Sequence, residues 1–423
     1  MMQRPGRTWL GFGLCLSVAA CTREPAAPQI AVHDVALESL VVTPAVPTAG
    51  ESVRLEAMVR NVGQELETDF SVSFFRDADG DSVAEANERV GAPAWVEFLD
   101  PGGSLLVAAR LDSIPLGLQS FVAVLDLEDD VSTNNVVWRG AEAVDPGLLR
   151  LHVIDVGQGD AILVEFPGGA RVLVDAGDVS WNLDGTEPVF DYLVAAEATS
   201  LDGVVVTHRD QDHYGGLEAL RGAGVRFETL WEGCQAPGDS TEPSLSGFDE
   251  YVAELEASGE VEVLTVARGD TLLEAGGGRL IVLNPGTSAD PAECADAEDR
   301  NNESVVLRVE LDPNFSALLT GDIGEDREHV LIDELDSGPL GVDVVKVPHH
   351  GSASSSTAEW VAATSPSLAL VSVGEGNGYG HPAQEVLERW ESAGATIART
   401  DRDGSLLVVT DGFTFRLLQG VGP

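Results

Sequence analysis

Val204-Val205-Val206-Thr207-His208-Arg209-Asp210-Gln211-Asp212-His213-Tyr214-Gly215-Gly216 is the stretch that decides the fold. Its β-branched apolar run predicts a buried strand. That strand delivers four potential metal ligands, His208, Asp210, Asp212 and His213, onto the turn that follows it. Imidazole and carboxylate groups so placed converge on adjacent cations, and the glycine pair lets the chain turn closely behind them. A charged helix N-terminus after a strand would require neither histidine at this spacing.

Three further apolar runs end in ligand-type residues: Leu173-Val174-Asp175-Ala176-Gly177, Leu318-Leu319-Thr320-Gly321-Asp322, and Val345-Lys346-Val347-Pro348-His349-His350-Gly351-Ser352. Together with the first stretch they resemble the metallo-β-lactamase superfamily, in the variant of its HxHxDH signature whose second His is Asp, here Asp210. The resemblance implies a four-layer αββα fold, two mixed sheets face to face with helices outside. It places the metal site at one sheet edge on strand-end loops, with Asp175 structural and Asp322 bridging two metals. The first metal would take His208, Asp210 and Asp322. The second would take Asp212, His213, Asp322 and one of His349 or His350. No histidine lies between Tyr214 and Gly321, where many relatives carry a third ligand for the first metal. That site is then oxygen-rich and open, which suits Mn²⁺ or weakly held Zn²⁺. One or two Zn²⁺ ions are the expected cofactor, with Mn²⁺ the alternative.

Four more words, Asp155-Val156-Gly157-Gln158-Gly159-Asp160, Asn301 to Leu307, Gly376-Asn377-Gly378-Tyr379-Gly380-His381-Pro382 and Arg399-Thr400-Asp401, resemble the hydrolase domain of the ComEC-like DNA-uptake channel family. The resemblance runs from about Arg150 to Leu418 and does not imply DNA transport. It implies phosphodiester hydrolysis, of DNA or of a cell-envelope phosphodiester, by a metal-bound hydroxide. Asp212 and His381 are the expected catalytic residues. His381, on a loop, suits contact with a substrate oxyanion or proton donation to a leaving group; the other reading is a loop histidine packed against the sheet. Asp160 suits holding its Gly-rich turn near the metal face. Rival functions are hydrolysis of a lactone, β-lactam or thioester on the same fold, and a surface adhesion or scaffold protein with a vestigial metal site.

Working outward to the N-terminus, basic residues precede an apolar run from Trp9 to Ala20 and then Cys21. This is the pattern of an export signal, and Val18-Ala19-Ala20-Cys21 resembles a bacterial lipobox, which implies lipidation of Cys21. An ordinary cleaved signal with an incidental cysteine is the alternative. The expected organisation is residues 1–21 signal peptide, 22–34 linker, 35–140 Ig-like β-sandwich, 141–149 linker and 150–420 hydrolase domain. The expected protein is an exported envelope lipoprotein that meets the membrane through its lipid alone. Short alternating segments such as Ser52 to Val59, separated by turn residues, predict the sandwich of about seven strands. Its words, among them Val59-Arg60-Asn61-Val62-Gly63 and Ser132-Thr133-Asn134-Asn135, resemble the CARDB-type module, which leaves room for a surface partner.

Inside the sandwich, Asp77, Asp79, Asp81, Glu85 and Glu88 fall in a Ca²⁺-loop-like register, with Asp77, Asp79, Asp81 and Glu88 as the candidate ligands. The glycine stands at position 4 instead of 6, and a solvated acidic hairpin explains the run equally well. Cys234 and Cys294 remain as a candidate disulfide. A formal net charge of −47, spread along the chain, argues against an extended nucleic-acid footprint.

Overall fold

The computed structural model describes residues 33–80, 82–178, 188–233, 243–285, 300–335 and 337–421. Cys21, Asp81, Cys234 and Cys294 lie outside them, and with them the lipidation and disulfide expectations.

The N-terminal part is an all-β sandwich of seven strands: β1 (Val35–Thr43), β2 (Val53–Asn61), β3 (Glu67–Asp77), β4 (Arg89–Leu99), β5 (Ser104–Leu111), β6 (Gly117–Asp126) and β7 (Val136–Ala143). They form a three-stranded sheet in the order β1-β2-β5 and a four-stranded sheet in the order β4-β3-β6-β7. Alternation sets which face turns inward: in β2, Val53, Leu55, Ala57 and Val59 are buried while Arg54 and Arg60 are exposed. These side chains meet Phe70, Phe74 and Phe121 of the facing sheet in one core. β7 carries the sandwich to Ala143, slightly beyond the expected boundary.

The remainder comprises β8 (Leu149–Val153), β9 (Ile162–Glu165), β10 (Arg171–Val174), β11 (Ser200–Val206), β12 (Arg226–Gly233), β13 (Glu262–Val266), β14 (Thr271–Ala275), β15 (Gly278–Asn284), β16 (Val306–Leu311), β17 (Phe315–Leu319), β18 (Val344–Lys346), β19 (Leu368–Val371), β20 (Thr396–Arg399), β21 (Leu406–Thr410) and β22 (Phe415–Gln419). One sheet has the order β13-β12-β11-β10-β9-β8-β21-β22, the other β14-β15-β16-β17-β18-β19-β20. Both are mixed. Leu151, Val164 and Val205 of the first pack against Leu307, Ala317 and Leu370 of the second. Helices Pro188–Ala195, Leu217–Ala223 and Pro243–Ser258 cover the outside of the first sheet, and Glu325–Leu335, Ala358–Thr364 and Gln384–Ser392 that of the second. This is the αββα sandwich.

After β11 the chain forms two short helices, Gln211–Tyr214 and Leu217–Ala223, separated by the glycine pair. At Gly216 a Cβ would lie 2.2 Å from the Ala176 carbonyl oxygen, so the break lets this loop close against the end of β10. The strand ends that lead into the expected site loops belong to interior strands of their sheets, β11, β17 and β18.

The two domains are joined by more than the chain. Thr48 bridges Val144, the Ala49 N–H donates to the Val144 carbonyl at 2.7 Å, and Arg150 donates to Thr48 Oγ1 at 2.6 Å. Behind this seam Glu165 is buried with Arg150, Arg171 and His152, and His152 also bonds the Tyr192 hydroxyl. Burial works against the Glu165 charge, but His152 and the two guanidiniums outweigh it and bring its pKa to about 2. No helix of the described residues is long and apolar enough to cross a membrane.

Candidate metal centre

Three loops are sewn together beneath the site. Asp160 N–H donates to the Asp212 carbonyl at 3.1 Å, Gly177 N–H to the Asp160 carbonyl at 2.8 Å, and Ala176 N–H to the His213 carbonyl at 2.6 Å. Gly159, at φ +128°, permits the closest approach, since a Cβ there would sit 2.2 Å from the Asp212 carbonyl oxygen. A second set of bonds ties the two sheets at the same end: Val305 N–H to the Thr207 carbonyl at 2.8 Å, and Ser372 Oγ to the Gly159 carbonyl at 2.7 Å. Strand ends far apart in sequence are thereby held around one cleft.

Into this cleft point His208, His213, Asp322 and His350, all buried, and the half-buried Asp212. His213 and His208 rings are 4.1 Å apart between centroids, His213 and His350 rings 5.3 Å. Asp322 Oδ2 lies 3.3 Å from His213 Nε2 and 3.2 Å from His350 Nε2, while His350 Nε2 is 3.5 Å from Asp212 Oδ2. Ligand atoms of His208, His213 and Asp322 form one group tight enough to hold an ion, and those of Asp212, His213 and His350 form another.

The other ring nitrogens are already engaged. His213 Nδ1 meets Asp175 Oδ2 at 2.7 Å, and Asp175 also accepts the Thr207 hydroxyl at 2.7 Å and the Thr207 N–H at 2.8 Å. His350 Nδ1 donates to the Ser372 carbonyl at 2.9 Å. Three Nε2 atoms, of His208, His213 and His350, remain buried without a hydrogen bond. Buried polar atoms are ordinarily paired, so three convergent orphan nitrogens beside two carboxylates fit a divalent cation.

Electrostatics agree. Burial opposes a charge on His213, yet Asp322, Asp175 and Asp212 outweigh it and hold the imidazole well above its usual range. His350 is lifted to about 9, mainly by Asp322 and Asp160 against the cost of burial. Asp322 resists burial through His350, His213 and Lys346 and stays far below the usual carboxylate range. A field that so favours protons on imidazoles favours a metal cation in their place.

Other expected residues stand apart from these two groups. Asp210 is at the rim, 3.6 Å from His208 Nε2 and 3.5 Å from an Arg300 guanidinium nitrogen. His349 diverges from His350 because both have left-handed backbones, at φ +50° and +53°. Its Nε2 is 3.8 Å from Asp322 Oδ2, and its ring is 5.7 Å from that of His381. His381 is placed by Asn377, whose side chain accepts the His381 N–H at 3.1 Å and donates to its carbonyl at 2.7 Å. Burial, followed by His349 and His350, lowers the His381 pKa. The word from Asn301 to Leu307 supports the Asp322 loop: Asn302 Oδ1 accepts the Gly324 N–H at 2.9 Å, and Ser304 Oγ accepts the Asp322 N–H at 3.1 Å.

Residues 154–225 match the family model of the metallo-beta-lactamase superfamily. The second domain is a metallo-β-lactamase domain. Among curated proteins, the chain is 31% identical over 270 residues to ComE operon protein 3 of Bacillus subtilis, a match covering 61% of this chain and 32% of that protein. It is 28% identical over 265 residues to Competence protein ComA of Neisseria gonorrhoeae, covering 63% and 33%. The chain thus spans about a third of the length of the curated relatives it matches. Two solved structures are similar to separate parts. The CARDB domain of a Pyrococcus furiosus protein in complex with di-metal ions covers 28% of this chain and 95% of that one, at 15% identity and TM-score 0.23. Zn²⁺-bound PqqB from Methylobacterium extorquens covers 57% and 85%, at 16% identity and TM-score 0.33. The metallo-β-lactamase domain implies a divalent cation, and its His/Asp groups are of the kind that hold one.

In the sandwich, ligand atoms of Asp77, Asp79 and Glu88 come together. Asp77 accepts the Gly80 and Ser82 N–H groups, and Glu88 that of Ala78. These bonds close the hairpin turn.

Sequence reasoning did not assign Lys346 or Thr207 to the site. Lys346 is wholly buried and contacts Asp160 and Asp322. Its signal was a lone charge inside the apolar strand Val344-Val345-Lys346-Val347. Thr207, next to His208, carries no comparable mark.

Proposed function

We propose that the metallo-β-lactamase domain is a metal-dependent phosphodiesterase. The observation that carries the metal dependence is the convergence of three orphan Nε2 atoms on Asp212 and Asp322. Phosphodiester as the substrate is supported by the similarity to two competence proteins and by the lack of any histidine between Tyr214 and Gly321.

In this reading His208, His213 and Asp322 hold one cation, and Asp212, His213 and His350 contribute to a second position that overlaps it. A divalent ion there supplies Lewis acidity toward phosphoryl oxygens and acidifies the attacking water. Asp175 and the Ser372 carbonyl keep protons on the Nδ1 atoms of His213 and His350, so that Nε2 faces the ion. His349, at the mouth, and His381 flank the path to solvent. With its pKa lowered, His381 is shifted toward the neutral form, which offers the leaving oxygen an N–H donor in place of a full positive charge.

The acidic surface favours a small or single-site phosphodiester over a long nucleic-acid track. Met1 to Cys21 supports export with a lipid on Cys21, and the sandwich then serves as a spacer between membrane and enzyme.

The test is metal content together with hydrolysis of bis(p-nitrophenyl) phosphate, comparing wild type with Asp212→Ala. Metal-dependent turnover lost in the variant is the expected result. Bound metal without turnover would overturn the phosphodiesterase assignment, and a chain that binds no metal would overturn the enzyme reading altogether.

A further inference from the structure

The chain contains 24 basic side chains, and Lys346 is the only lysine among them. It is also fully buried, on β18, three residues before His349. Its ammonium lies 2.5 Å from Asp160 Oδ2, 2.9 Å from the Gly321 carbonyl and 3.4 Å from Asp322 Oδ1. Three N–H groups therefore face three oxygens around one nitrogen. An ammonium is a compact point charge with three rotatable donors, whereas a guanidinium is a planar fork. A chain that uses arginine at every other basic position departs from it where only the compact cation fits.

Ligand atoms of Asp160, Asp322 and His350 lie close enough to form a metal-holding group of their own. Lys346 is already bonded to the carboxylates of that group. It also divides Asp322: Oδ1 faces the ammonium, and Oδ2 faces the Nε2 atoms of His213 and His350. We propose that Lys346 is a resident cation, which occupies the pocket between Asp160 and Asp322 Oδ1, excludes a metal ion from it, and leaves Asp322 only Oδ2 for metal binding. Lys346 is then a positioning residue that limits how many ions the centre accepts. This rests on the metal-binding reading above.

The test uses the full chain with Lys346→Ala and Lys346→Arg, stripped of metal, loaded with Mn²⁺, and counted by elemental analysis after folding is checked by circular dichroism. Lys346→Ala is expected to retain one more Mn²⁺ per chain than wild type, because Asp160 and the Oδ1 side of Asp322 lose the cation they face. Lys346→Arg is expected not to gain one. A folded Lys346→Ala protein with the wild-type count overturns the proposal. Wild type that binds no Mn²⁺ instead overturns the metal reading itself, so the two failures are distinct.

If the alanine variant does not fold, wild type decides the matter. Lysine labelled with ¹⁵N gives a single side-chain signal in this chain. A slowly exchanging ammonium signal that persists at saturating Zn²⁺ supports the resident cation. Its loss on metal binding shows that the metal displaces Lys346, and overturns the proposal.

Discussion

Asp175→Asn removes one negative charge and nothing else from the metallo-β-lactamase domain, and its effect can be worked through atom by atom. The carboxylate is fully buried and accepts three donors: His213 Nδ1, the Thr207 hydroxyl and the Thr207 N–H. An asparagine has one acceptor oxygen. If that oxygen keeps the Thr207 N–H, the amide NH₂ faces His213 Nδ1 and favours the tautomer with the proton on Nε2, which cannot ligate. Losing such a partner behind a metal-bound histidine typically costs 10- to 100-fold in metal affinity, or about 1.4 to 2.7 kcal/mol.

The loss should also depend on pH. Asp175 helps to hold the His213 pKa up in the metal-free protein, so protons compete with metal more strongly in wild type than in the variant. The affinity gap is therefore full in mild alkali and narrows as pH falls. Zn²⁺ competition titrations against a chelator at pH 6.5 and 8.5 check both points. Affinity within twofold of wild type at pH 8.5 would refute the argument that Asp175 sets the His213 tautomer.

Three further outcomes are expected. His381→Ala should lower kcat on bis(p-nitrophenyl) phosphate by roughly 10²-fold with metal content unchanged; a parallel loss of metal would mean that the loop is structural. Gly159→Ala places a Cβ against the Asp212 carbonyl at a positive φ and should cost about 1 to 3 kcal/mol in urea unfolding, with weaker metal retention; a neutral effect would show that the loop can yield. Glu165, with a folded pKa of about 2 against an ordinary 4.5, contributes stability that is present above pH 4.5 and lost as pH falls toward 2. That amounts to about 3 kcal/mol, so the stability gap between wild type and Glu165→Gln should shrink between pH 6 and pH 3, and a constant gap would contradict this.

Much of the fold was legible because strong patterns carried it. The alternation in β2 and the apolar runs before Asp175, His208, Asp322 and His349 each end at a residue whose backbone leaves the strand. Other features had no such mark. β13 and β14 are five-residue strands at the ends of their sheets, half-exposed, and their side chains do not repeat cleanly enough to stand out. The separation of His349 from His350 depends on two consecutive left-handed residues, a conformation that non-glycine residues rarely adopt. Lys346 was visible as a letter but not as a site, since its partners lie 186 and 24 residues away in Asp160 and Asp322.

Strand direction says which way the metal cleft faces. β8 is antiparallel to β9, β9 to β10, and β10 is parallel to β11, so β8 and β11 run the same way. Arg150, at the start of β8, is at the rear of the sheet whose front carries His208. The sandwich is pinned at that rear through Thr48, and the nine residues of β1 lead from His33 toward that seam over about 30 Å. The seam with the sandwich and the metal cleft thus lie at opposite ends of the strands of that sheet. The cleft therefore opens on the side of the sheet away from the sandwich, and the seam leaves its mouth uncovered.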